Sequence, residues 1–250
     1  MTLTKSLAGL SGLAALLFSN TFAHASNITV NATDVIYAAG SQSSLASSVG
    51  GTVPASFSVS GDSSLTFSIT GTIVLNNGSG NNSNGADGAG AAASSSSSSG
   101  YGSISGITLP GAGDLVGIFL SAGGPSGVAP ASLNFDTAGA TSFTSLSPLI
   151  DQVFFIGDGL TGDGTGSTQT FYIPTGATQL YLGISDACGY NGGPGCYGDN
   201  LGSYSVTVNP TGSSPSPTPE PPALVLFGSG LAFLAVGGPL RKYRMARHSA

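Results

Sequence analysis

Period-two alternation over Ala55–Leu75 constrains the fold more than any other stretch of the chain. Phe57 and Val59 alternate with Ser56, Ser58 and Ser60, and Leu65, Phe67 and Ile69 alternate with Thr66, Ser68 and Thr70. Side chains two residues apart share one face of a strand, so this pattern marks half-buried β-strands. Gly61-Asp62-Ser63 between the two runs predicts a hairpin turn. Leu115–Leu120 is apolar throughout, as expected of a central strand buried on both faces. Asn27–Tyr37, Val153–Ile156, Gln169–Ile173, Leu180–Ser185 and Ser203–Val208 supply further strands. No stretch between 26 and 210 sets apolar residues at helical spacing. Many short strands separated by Gly, Asn and Pro turns predict an all-β domain, a β-sandwich or jelly roll.

Charge restricts the chemistry available to that domain. The only Lys and Arg residues are Lys5, Arg241, Lys242, Arg244 and Arg247, and between Ser26 and Pro222 there is no Lys, Arg, His or Trp. The acids are ten aspartates and Glu220, for a formal net charge of -6. Nucleic acid is excluded as a partner, because neutralising phosphates needs basic side chains. A serine nucleophile has no His or Lys to activate it. Zinc lacks its nitrogen ligands, and two cysteines are too few for a structural zinc site. Carboxylate acid–base chemistry and oxygen-only metal binding remain, and the first is disfavoured because no aspartate pair has an evident environment that makes one member an acid. A carboxylate glycosidase would also need two acids flanking a cleft, about 5–9.5 Å apart.

Both ends of the chain read as targeting segments. Residues 1–25 carry one charge at Lys5, an apolar core at Leu7–Phe18 and the small-x-small site Ala23-His24-Ala25, the form of a secretory signal peptide. At the other end, Pro219-Glu220-Pro221 precedes the apolar run 223–240 and the basic tail 241–250. Such a run is about 27 Å long as a helix, enough to cross a hydrocarbon core, and the basic block behind it holds that end in the cytoplasm. An ordinary C-terminal anchor would look similar. A GPI signal would end in its apolar segment, without the basic block.

Pro-Glu-Pro, Leu224–Leu231 with its internal glycines, and then Arg241, Lys242 and Arg244 resemble the PEP-CTERM sorting signal. That resemblance implies processing by an exosortase near Pro219–Pro221, transient residence in the inner membrane, and delivery to the cell surface or extracellular matrix. The mature domain is then 26–210, followed by a Ser/Thr/Pro linker at 211–222. Within the domain, Asn76–Gly102 is almost wholly Asn, Gly, Ser and Ala, with six serines at Ser94–Ser99. A segment so poor in apolar surface is expected to be a mobile surface insertion.

Two turns gather oxygen ligands. Gly157–Gly164 contains Asp158 and Asp163 among glycines, the residues that any tight turn selects, and the turn reading leads there. The longer loop 186–200 sets Asp186 at one strand's end against Asp199 and Asn200 at the next strand's start. If those strands are neighbours, the three side chains converge, and two carboxylates so close need a cation between them. Calcium takes six to eight oxygens, including carboxylates, amides and backbone carbonyls.

Ser185-Asp186, the Gly/Pro loop and Asp199-Asn200-Leu201-Gly202-Ser203-Tyr204-Ser205-Val206 resemble the C-terminal part of calcium-dependent galactose-binding lectins of the PA-IL type. By that resemblance Asp186, Asp199 and Asn200 give side-chain oxygens to Ca2+ and Cys196 gives a backbone carbonyl. A further backbone oxygen would come from Leu75 or Asn76. Those lectins hold sugar with a His and a Gln from a middle loop, and 26–222 has no His, so the resemblance leaves the carbohydrate-binding residues unassigned. Cys188 and Cys196 lie in the same loop; oxidising surroundings and an even count point to one disulfide, the alternative being two free thiols. Two functional readings follow beside the disfavoured glycosidase. One is a module that binds extracellular polysaccharide or associates with the matrix; the other is a purely structural surface protein.

Overall fold

The computed structural model describes residues 25–40, 42–76, 83–88 and 95–213. The predicted signal peptide except its last residue, Pro219-Glu220-Pro221, the apolar run 223–240 and the basic tail lie outside them. Among the described residues, no helix is long and apolar enough to cross a membrane.

The described chain is mostly strand. In order these are β1 (Ser26–Asn31), β2 (Ala55–Ser58), β3 (Asp62–Val74), β4 (Ser83–Asn84), β5 (Ser96–Ser98), β6 (Ile107–Leu109), β7 (Leu115–Leu120) and β8 (Leu133–Asn134). There follow β9 (Ser145–Leu146), β10 (Val153–Phe155), β11 (Leu160–Gly162), β12 (Thr165–Thr168), β13 (Thr170–Tyr172), β14 (Gln179–Ile184), β15 (Asn191–Gly192) and β16 (Leu201–Ser213). One α-helix, α1 (Ser43–Ser48), buries only Leu45 and Ala46. The largest sheet runs β1-β16-β3-β13-β9, with β4 also on β3. A second runs β10-β7-β14-β2, and a third β15-β5-β6-β8; β11 and β12 form a separate hairpin.

Burial follows the patterns that made the strands. All of β7 is buried, between β10 and β14. Leu180, Leu182 and Ile184 of β14 face the core, as do Tyr204, Val206 and Val208 of β16. The first two sheets meet through aromatic rings. Phe171 of β13 lies 5.7 Å from Phe154 of β10 across that boundary, and 5.1 Å edge-on from Phe67 of β3. Gly117 in the middle of β7 makes room for this packing, since a Cβ there would come within 2.8 Å of the Phe154 ring.

Three local expectations are corrected. β2 and β3 do not form a hairpin through Gly61-Asp62-Ser63: β2 pairs with β14, whereas β3 belongs to the other sheet. The turn carries the chain from one sheet to the next, both of which face one core. Alternation specifies a buried face and not a partner. The Asn76–Gly102 tract is, where described, built into sheets: β4 pairs with β3, and β5 with β6 and β15, with Ser96 and Ser98 buried. Backbone pairing holds a strand whose side chains are too small to pack for themselves. Lastly, β16 continues to Ser213, past the expected linker start, and Ser64 Oγ lies 2.8 Å from Thr211 Oγ1.

Candidate functional site

The loop between β14 and β16 is shaped by buried hydrogen bonds around Tyr197. The Tyr197 hydroxyl donates to the Ile184 carbonyl at 2.9 Å and accepts the Asp186 N–H at 2.9 Å. It is fully buried, and burial raises its pKa well above the usual tyrosine value, so it stays a neutral donor. The loop then closes on itself. Tyr190 N–H donates to Ala187 O at 2.7 Å, Ala187 and Pro194 form a β-bridge, and Cys188 and Cys196 are joined by a disulfide with Cα atoms 5.2 Å apart. A bridge closing so short a loop contributes about 2.5 kcal/mol in the chain-entropy account. β15, inside the loop, pairs in parallel with β5, so the serine run holds the loop from outside.

The condition set for convergence, that the two strands be neighbours, is not met: β14 and β16 belong to different sheets. The side chains converge nonetheless, where the loop crosses from one sheet to the other. Asn200 Nδ2 donates to Asp186 Oδ2 at 2.8 Å and to Ala32 O at 3.2 Å. Asp186 Oδ1 accepts the Ala187 N–H at 2.8 Å. Asn200 Oδ1 is buried without a hydrogen-bond partner among the described residues. Asp186, Asp199, Cys196, Tyr190, Leu75 and Asn76 line a cavity of about 140 Å³, room for an ion and a few waters. The two places suggested for an earlier backbone ligand, Leu75 and Asn76, are thus at the same cavity as Asp186, Cys196 and Asp199, and Asn200 adjoins it through its bond to Asp186.

Backbone conformation and charge single out the same place. Four non-glycine residues among those described have positive φ: Asn76 (59°), Asp151 (64°), Tyr190 (61°) and Cys196 (64°). Three of the four line this cavity. Left-handed backbone is costly for side chains other than Asn and Asp, and persists where the surroundings enforce it. Burial pushes the Asp186 carboxyl up to about 6, against the hydrogen bonds from Asn200 and Ala187, and the Asp199 charge pushes it in the same direction. A buried carboxylate with a second carboxylate beside it, and no basic residue between 26 and 222, is under-compensated. The residues fit calcium: two carboxylates, an unpartnered amide oxygen and nearby backbone, all oxygen donors.

The Gly157–Gly164 turn has the expected local bonding. Asp158 Oδ1 accepts Leu160 N–H at 2.8 Å, and Oδ2 accepts Gly164 N–H at 2.7 Å. Sequence reasoning missed its long-range neighbour: Asp87 Oδ1 accepts the Asp158 N–H at 3.0 Å. Asp87 is the single acid of the low-complexity tract, and that isolation was the only signal available. No family model, curated protein or solved structure matches the chain.

Proposed function

We propose that the chain is an exported surface or matrix protein whose β-sandwich, of jelly-roll type, carries a calcium site at Asp186, Asp199 and Asn200 with backbone oxygen from Cys196, and that this site attaches it to extracellular polysaccharide. One observation carries the reading. The residues that the lectin resemblance names as ligands line or adjoin a single cavity, although their parent strands lie in different sheets. Calcium would supply positive charge that the domain's own side chains lack, and its remaining positions would accept sugar hydroxyls. Asp186 and Asp199 would hold the ion, the disulfide would keep the loop in place, and Tyr190, half-buried at the cavity wall, would give a sugar ring an apolar face. A domain without Lys, Arg or His can approach an acidic polysaccharide only with a cation between them. The PEP-CTERM-like tail supports export and exosortase processing.

The test uses protein recovered from outside the cell, whose mass should place its C-terminus near Pro219–Pro221. It is applied to a glycan array with about 1 mM calcium and again after chelation. Calcium-dependent binding that drops about tenfold or more in Asp199→Asn is expected, because fewer ligand charges weaken a calcium site. Arg241–Arg247 still attached in most molecules would contradict sorting. If no glycan binds while calcium still raises the melting midpoint, the ion is structural, and the protein is a surface component without a ligand.

A further inference from the structure

We propose that Asp87, Asp158 and Asp163 form a second divalent-cation site, of calcium type, which clamps the low-complexity tract to the β11–β12 hairpin. One ligand oxygen from each lies within 4.8 Å of the others, although Asp87 is 71 residues from Asp158 in the chain. The close approach is built into the backbone. Gly157 has φ +60°, and a Cβ there would overlap Asp87 Oδ1, so only glycine lets the tract dock at this point.

An independent feature lies behind the cluster. Asp114 is fully buried, and apart from its own N–H neither carboxylate oxygen has a hydrogen-bond donor among the described residues. Its carboxylate sits against the backbone next to Asp87, where a Cβ at Gly88 would come within 2.6 Å of Oδ2. Gln169 Oε1 is also buried and unpartnered, while its amide nitrogen donates to Thr141 O at 2.7 Å. Thr141, Thr161, Asp87 and Asp163 line a cavity of about 170 Å³ beside the cluster. Three carboxylates this close, with the buried and unpartnered Asp114 carboxylate packed on the backbone next to Asp87 and no cationic side chain in the domain, need protons or a metal ion. The donors are all oxygen and the arrangement is irregular. That selects calcium over zinc, which favours nitrogen and sulfur, and over magnesium, which demands a regular octahedron.

The site is separate from that of Asp186, so the two stand or fall separately. The test counts calcium bound per chain by equilibrium dialysis of the exported protein, stripped with chelator and returned to CaCl2 at neutral pH. Wild type should bind two ions. Asp163 is exposed, so Asp163→Asn should fold normally; it should bind one ion at undiminished affinity and the other about tenfold more weakly. Asp87→Asn should do the same, whereas Asp186→Asn should lose the other ion. The proposal is overturned if wild type binds a single ion that Asp186→Asn abolishes, or if both Asp163→Asn and Asp87→Asn leave the binding curve unchanged. If Asp186→Asn changes nothing while Asp163→Asn removes the only ion, this site stands and the one at Asp186 falls.

Discussion

Without divalent cations, the protein should be more stable at pH 5 than at pH 8, the reverse of ordinary acid destabilisation. Burial pushes Asp114 and Asp87 up to about 7 and Asp186 up to about 6, from an ordinary value of 3.8. A raised carboxyl binds its proton more tightly folded than unfolded, so the folded state takes up protons between about pH 4 and 7. Its contribution to stability is present at low pH and lost as pH rises through 6 and 7. Each tenfold difference in proton affinity is worth about 1.4 kcal/mol, and over pH 5 to 8 the two most buried of these groups, Asp114 and Asp186, together give on the order of 4 kcal/mol. For a domain of this size that is a midpoint lower by about 10 °C or more at pH 8. Melting curves from pH 4.5 to 8.5 in chelator measure it, and millimolar calcium should flatten the dependence by replacing the protons. Stability that falls from pH 7 to pH 5 would mean that these carboxylates are already compensated.

Phe171→Ala should cost about 3–5 kcal/mol, the usual range for removing a buried aromatic ring. Phe171 is fully buried and touches rings from both principal sheets, with Phe67 at 5.1 Å, Phe154 at 5.7 Å and Phe143 at 5.8 Å. Removing it deletes the edge-to-face contacts with Phe67 and Phe143 and the tilted contact with Phe154 of the other sheet, and leaves a cavity between sheets whose strands cannot close in. Phe171→Leu should cost much less, because it keeps most of the volume. Urea unfolding of the two variants gives both figures. A loss below about 1 kcal/mol for Phe171→Ala would show that the sheets do not depend on this contact.

Strands were legible in this sequence and their partners were not. Leu115–Leu120 was bounded correctly because six apolar residues between turn signals have few alternatives. Phe57, Val59, Leu65 and Phe67 did turn inward, yet β2 and β3 went to different sheets. Residue pattern records which face is buried, whereas pairing is settled by what the rest of the chain leaves open. Ser96–Ser98 carried no apolar signal, and its place is set by the backbone of β6 and β15. The six-residue helix Ser43–Ser48, with two buried side chains, is too short to show a helical stripe.

The candidate site divides along the same line. Asp186, Asp199 and Asn200 could be read together because one loop carries them and the strand ends limit where they go. Asp87 could not be joined to Asp158, 71 residues away, because glycine and serine around it leave no record of the contact. Asp114 stands before a fully apolar strand and looks like a turn acid. Its burial follows from the turn of 85–88 folding over it, where the Leu115 N–H donates to Ala86 O at 2.9 Å.

Occupancy of the Asp186 site is decided by a crystal structure of the exported protein grown with about 1 mM calcium. One ion is expected about 2.3–2.6 Å from carboxylate oxygens of both Asp186 and Asp199, with the Cys196 carbonyl among its ligands. Density for water alone at that place, with Asp186 held only by Asn200 and Ala187, would contradict it.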